Sequence, residues 1–238
     1  MKKSLFFSSM IVLLTVIPTL AGIGQSRFYA GGHLTLGLPQ NTFKENVEDN
    51  GFGLTGYFGY RLPGSPFIIG GTGGFLIYGS ETREEPFSTT IPDVMVDVTT
   101  TNSIILGHLL FRVQPPAGKV LPYAEGLLGF TYLTTDTRIE DQGDNEEIAT
   151  SKNFDDITFS YGIGGGLMIP VYRPSREKAE KDGLFGVFID INIRYLRGGE
   201  AEYLKEGSIR RSGGVVTFDI TESRTDLVTV HLGVSFAF

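Results

Sequence analysis

The segment Asp226–Phe238, DLVTVHLGVSFAF, alternates without a break. Val228, Val230, Leu232, Val234, Phe236 and Phe238 form an apolar phase, and Thr229, His231, Gly233, Ser235 and Ala237 a small or polar one. Successive strand residues point to opposite faces, so the pattern predicts a β-strand with one apolar face. Its length fits a tilted strand crossing a bilayer, which takes about 9–11 residues. Leu184–Leu196 repeats the pattern, with Phe185, Val187, Ile189, Ile191, Ile193 and Tyr195 set against Gly186, Phe188, Asp190, Asn192 and Arg194. The same reading predicts strands over Ser26–Leu38, Gly51–Leu62, Phe67–Ser80, Val94–Val113, Val120–Thr134 and Ile157–Ile169, eight in all.

The connections sort into two kinds. Pro63–Pro66, Gln114–Gly118 and the longer Arg173–Gly183 carry Pro and Gly, whereas Pro39–Asn50, Glu81–Asp93, Thr135–Asp156 and Gly198–Arg224 are long and polar. They alternate strictly, as in an antiparallel barrel with short turns on one side of a membrane and long loops on the other. Val94–Thr101 and Val215–Ile220 also alternate, and are expected to extend hairpins above the membrane rather than to add barrel strands.

Charge decides which face meets lipid. A charge at the bilayer midplane costs about 2–4 kcal/mol, so Asp190 and Arg194 are expected to point inward. The same rule puts Arg61, Arg112 and Glu125 inside. It puts Phe52, Leu54, Phe58, Tyr60, Ala124, Leu128, Phe130 and Tyr132 outside, with Tyr60, Tyr132, Tyr161 and Tyr195 as candidates for the interfacial aromatic belts. A secreted, lipocalin-like barrel with its apolar phase inward would alternate in the same way. The closing Phe238, the unequal turns and loops and the glycine-rich second phase favour the membrane.

Lys2, Lys3, the apolar stretches Leu5–Phe7 and Met10–Ile17, and Pro18-Thr19-Leu20-Ala21 predict a secretory signal peptide over residues 1–21 and a barrel domain over 22–238. Cleavage after Gly24 is the alternative. No later run of about 18 apolar residues predicts a spanning helix. The chain has no Cys, so a lipid-anchored cysteine, a disulfide and thiolate chemistry are excluded. A net charge of −7 argues against nucleic acid as a partner. The predicted fold is all-β: an eight-stranded antiparallel up-and-down transmembrane β-barrel with short periplasmic turns, long extracellular loops and both termini in the periplasm. The expected location is the outer membrane of a Gram-negative-type bacterium.

Ile189–Leu204, IDINIRYLRGGEAEYL, and Ser223–Phe238, SRTDLVTVHLGVSFAF, together with VLPYAEG at Val120–Gly126, resemble the eight-stranded outer-membrane β-barrel family. That group contains OmpX-type barrels and the transmembrane domain of OmpA-type porins. The resemblance implies the barrel over the whole mature chain, and a role among adhesins, membrane anchors and narrow pores. The chain departs from the OmpA type in ending at the barrel, without a peptidoglycan-binding domain. Its third periplasmic turn is unusually long.

Arg61, Arg112, Glu125, Asp190 and Arg194 are expected to form an interior charge network. A barrel this narrow is filled by side chains, and buried charges must pair. The network reads either as a salt-bridged plug, which we favour, or as an ion path. His33, His108 and His231 point inward too. Without Cys, three dispersed histidines argue for hydrogen bonding rather than a metal, and no metal or cofactor is expected. Ser160 and Ser235 have no assignable His and acid neighbours, and no GxSxG elbow is present, so no enzyme activity is expected. Phe236 and Phe238 are read as the insertion signal for the outer-membrane assembly machinery. The acidic third loop, with Asp136, Glu140, Asp141, Asp144, Glu146, Glu147, Asp155 and Asp156, suggests a solvated face, contact with divalent ions on lipopolysaccharide, or an extracellular partner. The expected function is therefore that of a monomeric barrel for envelope integrity, adhesion or loop display. A narrow pore for ions or small solutes is the alternative, and a lipid-modifying enzyme the second alternative.

Overall fold

The computed structural model describes residues 27–47, 49–88, 91–141, 147–212 and 215–238. The expected signal peptide and its cleavage site lie outside them, as do Asp144 and Glu146. The strands are β1 Phe28–Pro39, β2 Gly51–Arg61, β3 Phe67–Ser88, β4 Ile91–Val113, β5 Leu121–Asp141, β6 Glu147–Tyr172, β7 Gly186–Gly198, β8 Glu200–Ser212, β9 Val215–Arg224 and β10 Leu227–Ala237. Eight of them close a barrel in the order β1-β10-β7-β6-β5-β4-β3-β2, and β8 and β9 form a separate hairpin. Val215–Ile220 thus extends a loop, as expected, with β8 as its partner.

Paired residues followed from Thr35 through β2, β3, β4 and β5 lead to Asp156 on β6, whereas the route through β10 and β7 leads to Gly166. The barrel therefore closes with a stagger of ten residues, from Asp156 to Gly166. Such a stagger obliges the strands to tilt, and a tilted strand needs only about 9–11 residues to span the bilayer. The first turn reverses the chain at Gly64, whose φ of 65° favours a residue without a Cβ.

Alternation becomes facing. On β7, Asp190, Asn192 and Arg194 are buried while Ile189, Ile191 and Ile193 are exposed on the outer wall. The wall itself is apolar, with Leu34, Phe52, Leu54 and Ile163 the most exposed large side chains, each at 62–71 %.

The barrel is lopsided. β1, β2, β7 and β10 have 11–13 residues, whereas β3, β4, β5 and β6 have 22, 23, 21 and 26. The second and third loops, expected as polar stretches, are largely strand, because β3–β6 continue past the barrel as a four-stranded extension. Two register shifts mark the point of departure: one between Ile77 and Gly79 on β3, one between Thr135 and Asp136, where β6 carries an extra residue opposite β5. An extra residue reverses which side chains face inward. Leu76 and Tyr78 point in below the shift on β3, and Glu81 and Arg83 take the inner face above it.

Two short helices sit where the sequence predicts loop or turn. α1, Asn41–Asn46, lies in the first loop, and α2, Arg176–Asp182, in the third periplasmic turn. α2 has Glu177 in its first turn and Lys181 in its last, complementing the helix dipole, and ends at Gly183 in the left-handed region.

Candidate functional site

The interior polar groups are built from the inward phase of the strands. Arg112 and Glu125 are register partners on β4 and β5, strands joined by the second short turn. The Arg112 Nε and Nη2 donate to Glu125 Oε2 at 3.1 and 2.9 Å. From β7, on the other side of Gly164 in β6, Arg194 Nε donates to Glu125 Oε1 at 2.7 Å, and its Nη1 reaches across to Thr72 Oγ1 of β3 at 3.2 Å. Both carboxylate oxygens are thus engaged by two buried guanidiniums. The Arg112 guanidinium also lies over the rings of Tyr57, at 4.4 Å, and Tyr123, at 3.9 Å, a cation–π sandwich that substitutes for water.

Asp190 stands beside this triad, joined through Tyr123. It accepts from Tyr123 OH at 2.7 Å and Ser235 Oγ at 2.8 Å, and His33 Nε2 lies 3.2 Å away. Arg61 departs from expectation. It is buried but pairs with no carboxylate among the described residues, and donates instead to Tyr29 OH at 3.0 and 3.2 Å and to the Gln114 carbonyl at 2.9 Å. It lies at the end of β2, apart from the triad.

The histidines do not act as a pair. His33 and His231 sit on adjoining strands with ring centroids 5.9 Å apart. His231 is held by hydroxyls: Thr35 and Thr55 at Nδ1, both at 3.0 Å, and Thr229 at Nε2, 2.7 Å. His108 Nε2 is hydrogen-bonded to Ser160 Oγ. The reading of Ser160 and Ser235 as lone serines is therefore corrected. The strand register brings Ser160 to His108, and Ser235 to Asp190. Neither completes a relay. No carboxylate bonds His108 among the described residues, and on Ser235 the acid itself, not an imidazole, accepts the hydroxyl. Among the described residues no cluster of three or more His, Asp or Glu is placed to hold a metal ion.

Above these groups the lumen is closed by apolar side chains. α1 turns Phe43 into the extracellular mouth, where it is fully buried. Its ring packs against Tyr78 of β3 at 6.0 Å and Tyr203 of β8 at 5.4 Å. Burial pushes the Tyr203 phenol above its ordinary pKa, and the hydroxyl stays neutral, bonded to Ser223 Oγ at 2.8 Å. Asp226 fastens this lid: its Oδ2 accepts from Asn41 Nδ2 at 2.7 Å and its Oδ1 from the Gly198 amide at 3.1 Å. Between lid and charges lies a cavity of about 10 Å³ bordered by Thr55, His108, Arg194, Thr229 and His231. It has room for about one water.

The inward Tyr29, Tyr57 and Tyr123 and the Phe43 lid are absent from the site that the sequence predicts. Tyr57 and Tyr123 share the phase of Arg61 and Glu125, and that phase is a usable signal. Phe43 carries none, since a lone aromatic in a polar stretch does not say where it packs. The two terminal aromatics point outward, Phe236 at 38 % and Phe238 at 43 % exposure, with stacked rings 6.2 Å apart.

A family model described as outer membrane protein beta-barrel domain matches residues 7–238. None of the curated proteins matches the sequence. Among solved structures, Neisserial surface protein A (NspA) aligns at 13 % identity and a TM-score of 0.42 over 90 % of this chain and 99 % of that one. Ail, the attachment invasion locus protein of Yersinia pestis, aligns at 14 % and 0.35 over 91 % and 100 %. A major outer membrane protein from Thermus thermophilus aligns at 11 % and 0.39 over 88 % and 99 %.

Proposed function

The chain belongs to the outer membrane protein beta-barrel domain family, and from that membership we propose that it serves the Gram-negative envelope as a sealed, monomeric barrel presenting a surface. Its work is done by the extension above the membrane, in envelope integrity, adhesion or display. The observation that carries this reading is the pairing of a closed lumen with four strands that run roughly twice the length of the others. Material invested above the bilayer, over a barrel that leads nowhere, serves contact. The contacts proposed are lipopolysaccharide at the barrel wall and rim, and an extracellular partner of the acidic loops. Assembly machinery is proposed to read Phe236 and Phe238. No enzymatic role is proposed, because the two serine contacts are enclosed within the wall.

A narrow pore is the second reading. The buried amides of Asn192 and Gln114 favour it, since they have no hydrogen-bond partner among the described residues and belong to the kind of group that water satisfies. The test replaces Glu200–Arg224 by a short turn in the full chain and measures binding of expressing cells to host-cell or matrix surfaces, alongside conductance of the intact protein in planar bilayers. Surface contact predicts loss of binding on hairpin removal and no steady conductance. Steady conductance with unchanged binding overturns it.

A further inference from the structure

The extension above the membrane encloses space. A cleft of about 270 Å³ lies between the inner face of β3–β6 and the β8–β9 hairpin. Val98, Ile139 and Ala149 line it from the sheet, and Ile209, Val216 and Phe218 from the hairpin. Three of the polar side chains at its floor are committed to one another: Thr100 Oγ1 and Thr137 Oγ1 are bonded at 3.1 Å, and Asn153 Nδ2 donates to Thr137 Oγ1. A molecule lying on this floor meets mostly apolar or already bonded groups along its length.

One end is different. There the cleft adjoins a cavity of about 10 Å³, with which it shares Arg83, Thr100 and Ile209, and which adds Glu81, Asn102 and Lys205. Arg83 reaches the Glu81 carboxylate at 3.8 Å, and both side chains are about a third exposed. The Lys205 ammonium makes no ion pair among the described residues. The residues bordering this small cavity thus include two cations, Arg83 and Lys205, and one anion, Glu81, in a chain whose net charge is −7. Arg83 faces the cleft only because the register shift at Ile77/Gly79 turns it inward.

We propose that the cleft binds a medium-chain fatty acid or an amphiphile of that kind. Its single carboxylate sits between Arg83 and Lys205, and its chain runs along the wall formed by Val98, Ile139, Val216 and Phe218. Charge complementarity selects the head, since guanidinium and ammonium groups are strong donors to a carboxylate. Volume selects the tail. A cleft of about 270 Å³ sets the limit and favours a short to medium chain over a long one. The proposal is independent of whether the barrel conducts.

The experiment uses the full chain in phospholipid nanodiscs, with labelled Ile and Val methyls followed by NMR, and decanoate as the probe. Decanoate is expected to give saturable shifts at Val98, Ile139, Ile209 and Val216. Decylammonium, of equal length and opposite charge, is expected to bind at least tenfold more weakly, and Arg83→Ala with Lys205→Ala to weaken decanoate at least tenfold. Phe218→Asp, a change at an exposed side chain, should remove the saturable shifts with the barrel methyls unmoved. Absence of saturable shifts, equal affinity for decanoate and decylammonium, or unchanged affinity in the double variant overturns the proposal. The comparison of the two amphiphiles on the unaltered chain stands even if a variant misfolds.

Discussion

Glu125 is the residue on which the lumen turns. Its two oxygens hold Arg112 and Arg194, all three side chains buried in the lumen. Removing one partner of a buried ion pair leaves an uncompensated charge, at about 3–5 kcal/mol. Glu125→Ala strands two such charges, so chemical unfolding in detergent or bilayer should show a loss at the upper end of that range. Glu125→Ala with Arg112→Ala should recover part of it, and only part, because Arg194 remains without its carboxylate. A double variant whose loss equals the sum of the Glu125→Ala and Arg112→Ala losses would show that the pair is not coupled. The pairing of Arg112 with Glu125 was legible in the sequence: lipid forbids both charges outside, and a short turn places them near each other on adjacent strands. The environment of Arg61 was not. Its partners are a phenol and a backbone carbonyl, which no count of charges reveals.

At the scale of the element, the lipid-facing phase of β7 gives the sharpest test of register. Ile191 is 43 % exposed on the wall and Asn192, one residue on, is 3 % exposed within it. Ile191→Arg should cost about 2–4 kcal/mol in a bilayer unfolding assay. Asn192→Ser should cost far less, since the Asn192 amide makes no side-chain hydrogen bond among the described residues. Comparable losses would place the facing of β7 in error. Strands of this kind announce themselves by alternation, which is why all eight barrel strands were readable. Their upper ends were not, because a register shift needs no particular residue: Tyr78 sits at one and Asn153 at the other, and neither type marks a bulge. α2 did leave a signal in SREKAEKDG, Ser175–Gly183, a run of helix formers closed by glycine. α1 left none, since Phe43 is held there by packing rather than by propensity.

At the scale of the whole molecule, closure and sealing are separate problems with separate tests. Closure ends at Phe238, whose carbonyl accepts from the amides of Arg27 and Phe28 at 2.8 and 3.0 Å and whose own amide donates to Phe28 at 2.8 Å. Deleting Phe238 removes these seam bonds and the outward ring together, and outer-membrane yield should fall with degraded protein in the periplasm. Phe238→Ala keeps the backbone and removes only the ring. A fall in yield of similar size from the substitution assigns the effect to recognition of the aromatic, and normal yield assigns it to the seam. On the proposed sealed reading the lumen is stopped twice, by Phe43 between Tyr78 and Tyr203 above and by the Glu125 triad below. Two stoppers in series mean that neither alone governs flow. Phe43→Gly opens the extracellular mouth onto a lumen still blocked by charge, and Glu125→Ala with Arg112→Ala loosens the charges beneath an intact lid. Planar-bilayer recording should therefore find near-zero conductance for the unaltered protein, little change for either variant, and steady conductance only when the two are combined. Steady conductance in the unaltered chain, or full opening by Phe43→Gly alone, would mean that the lower stopper does not block, and the barrel would have to be read as a gated pore.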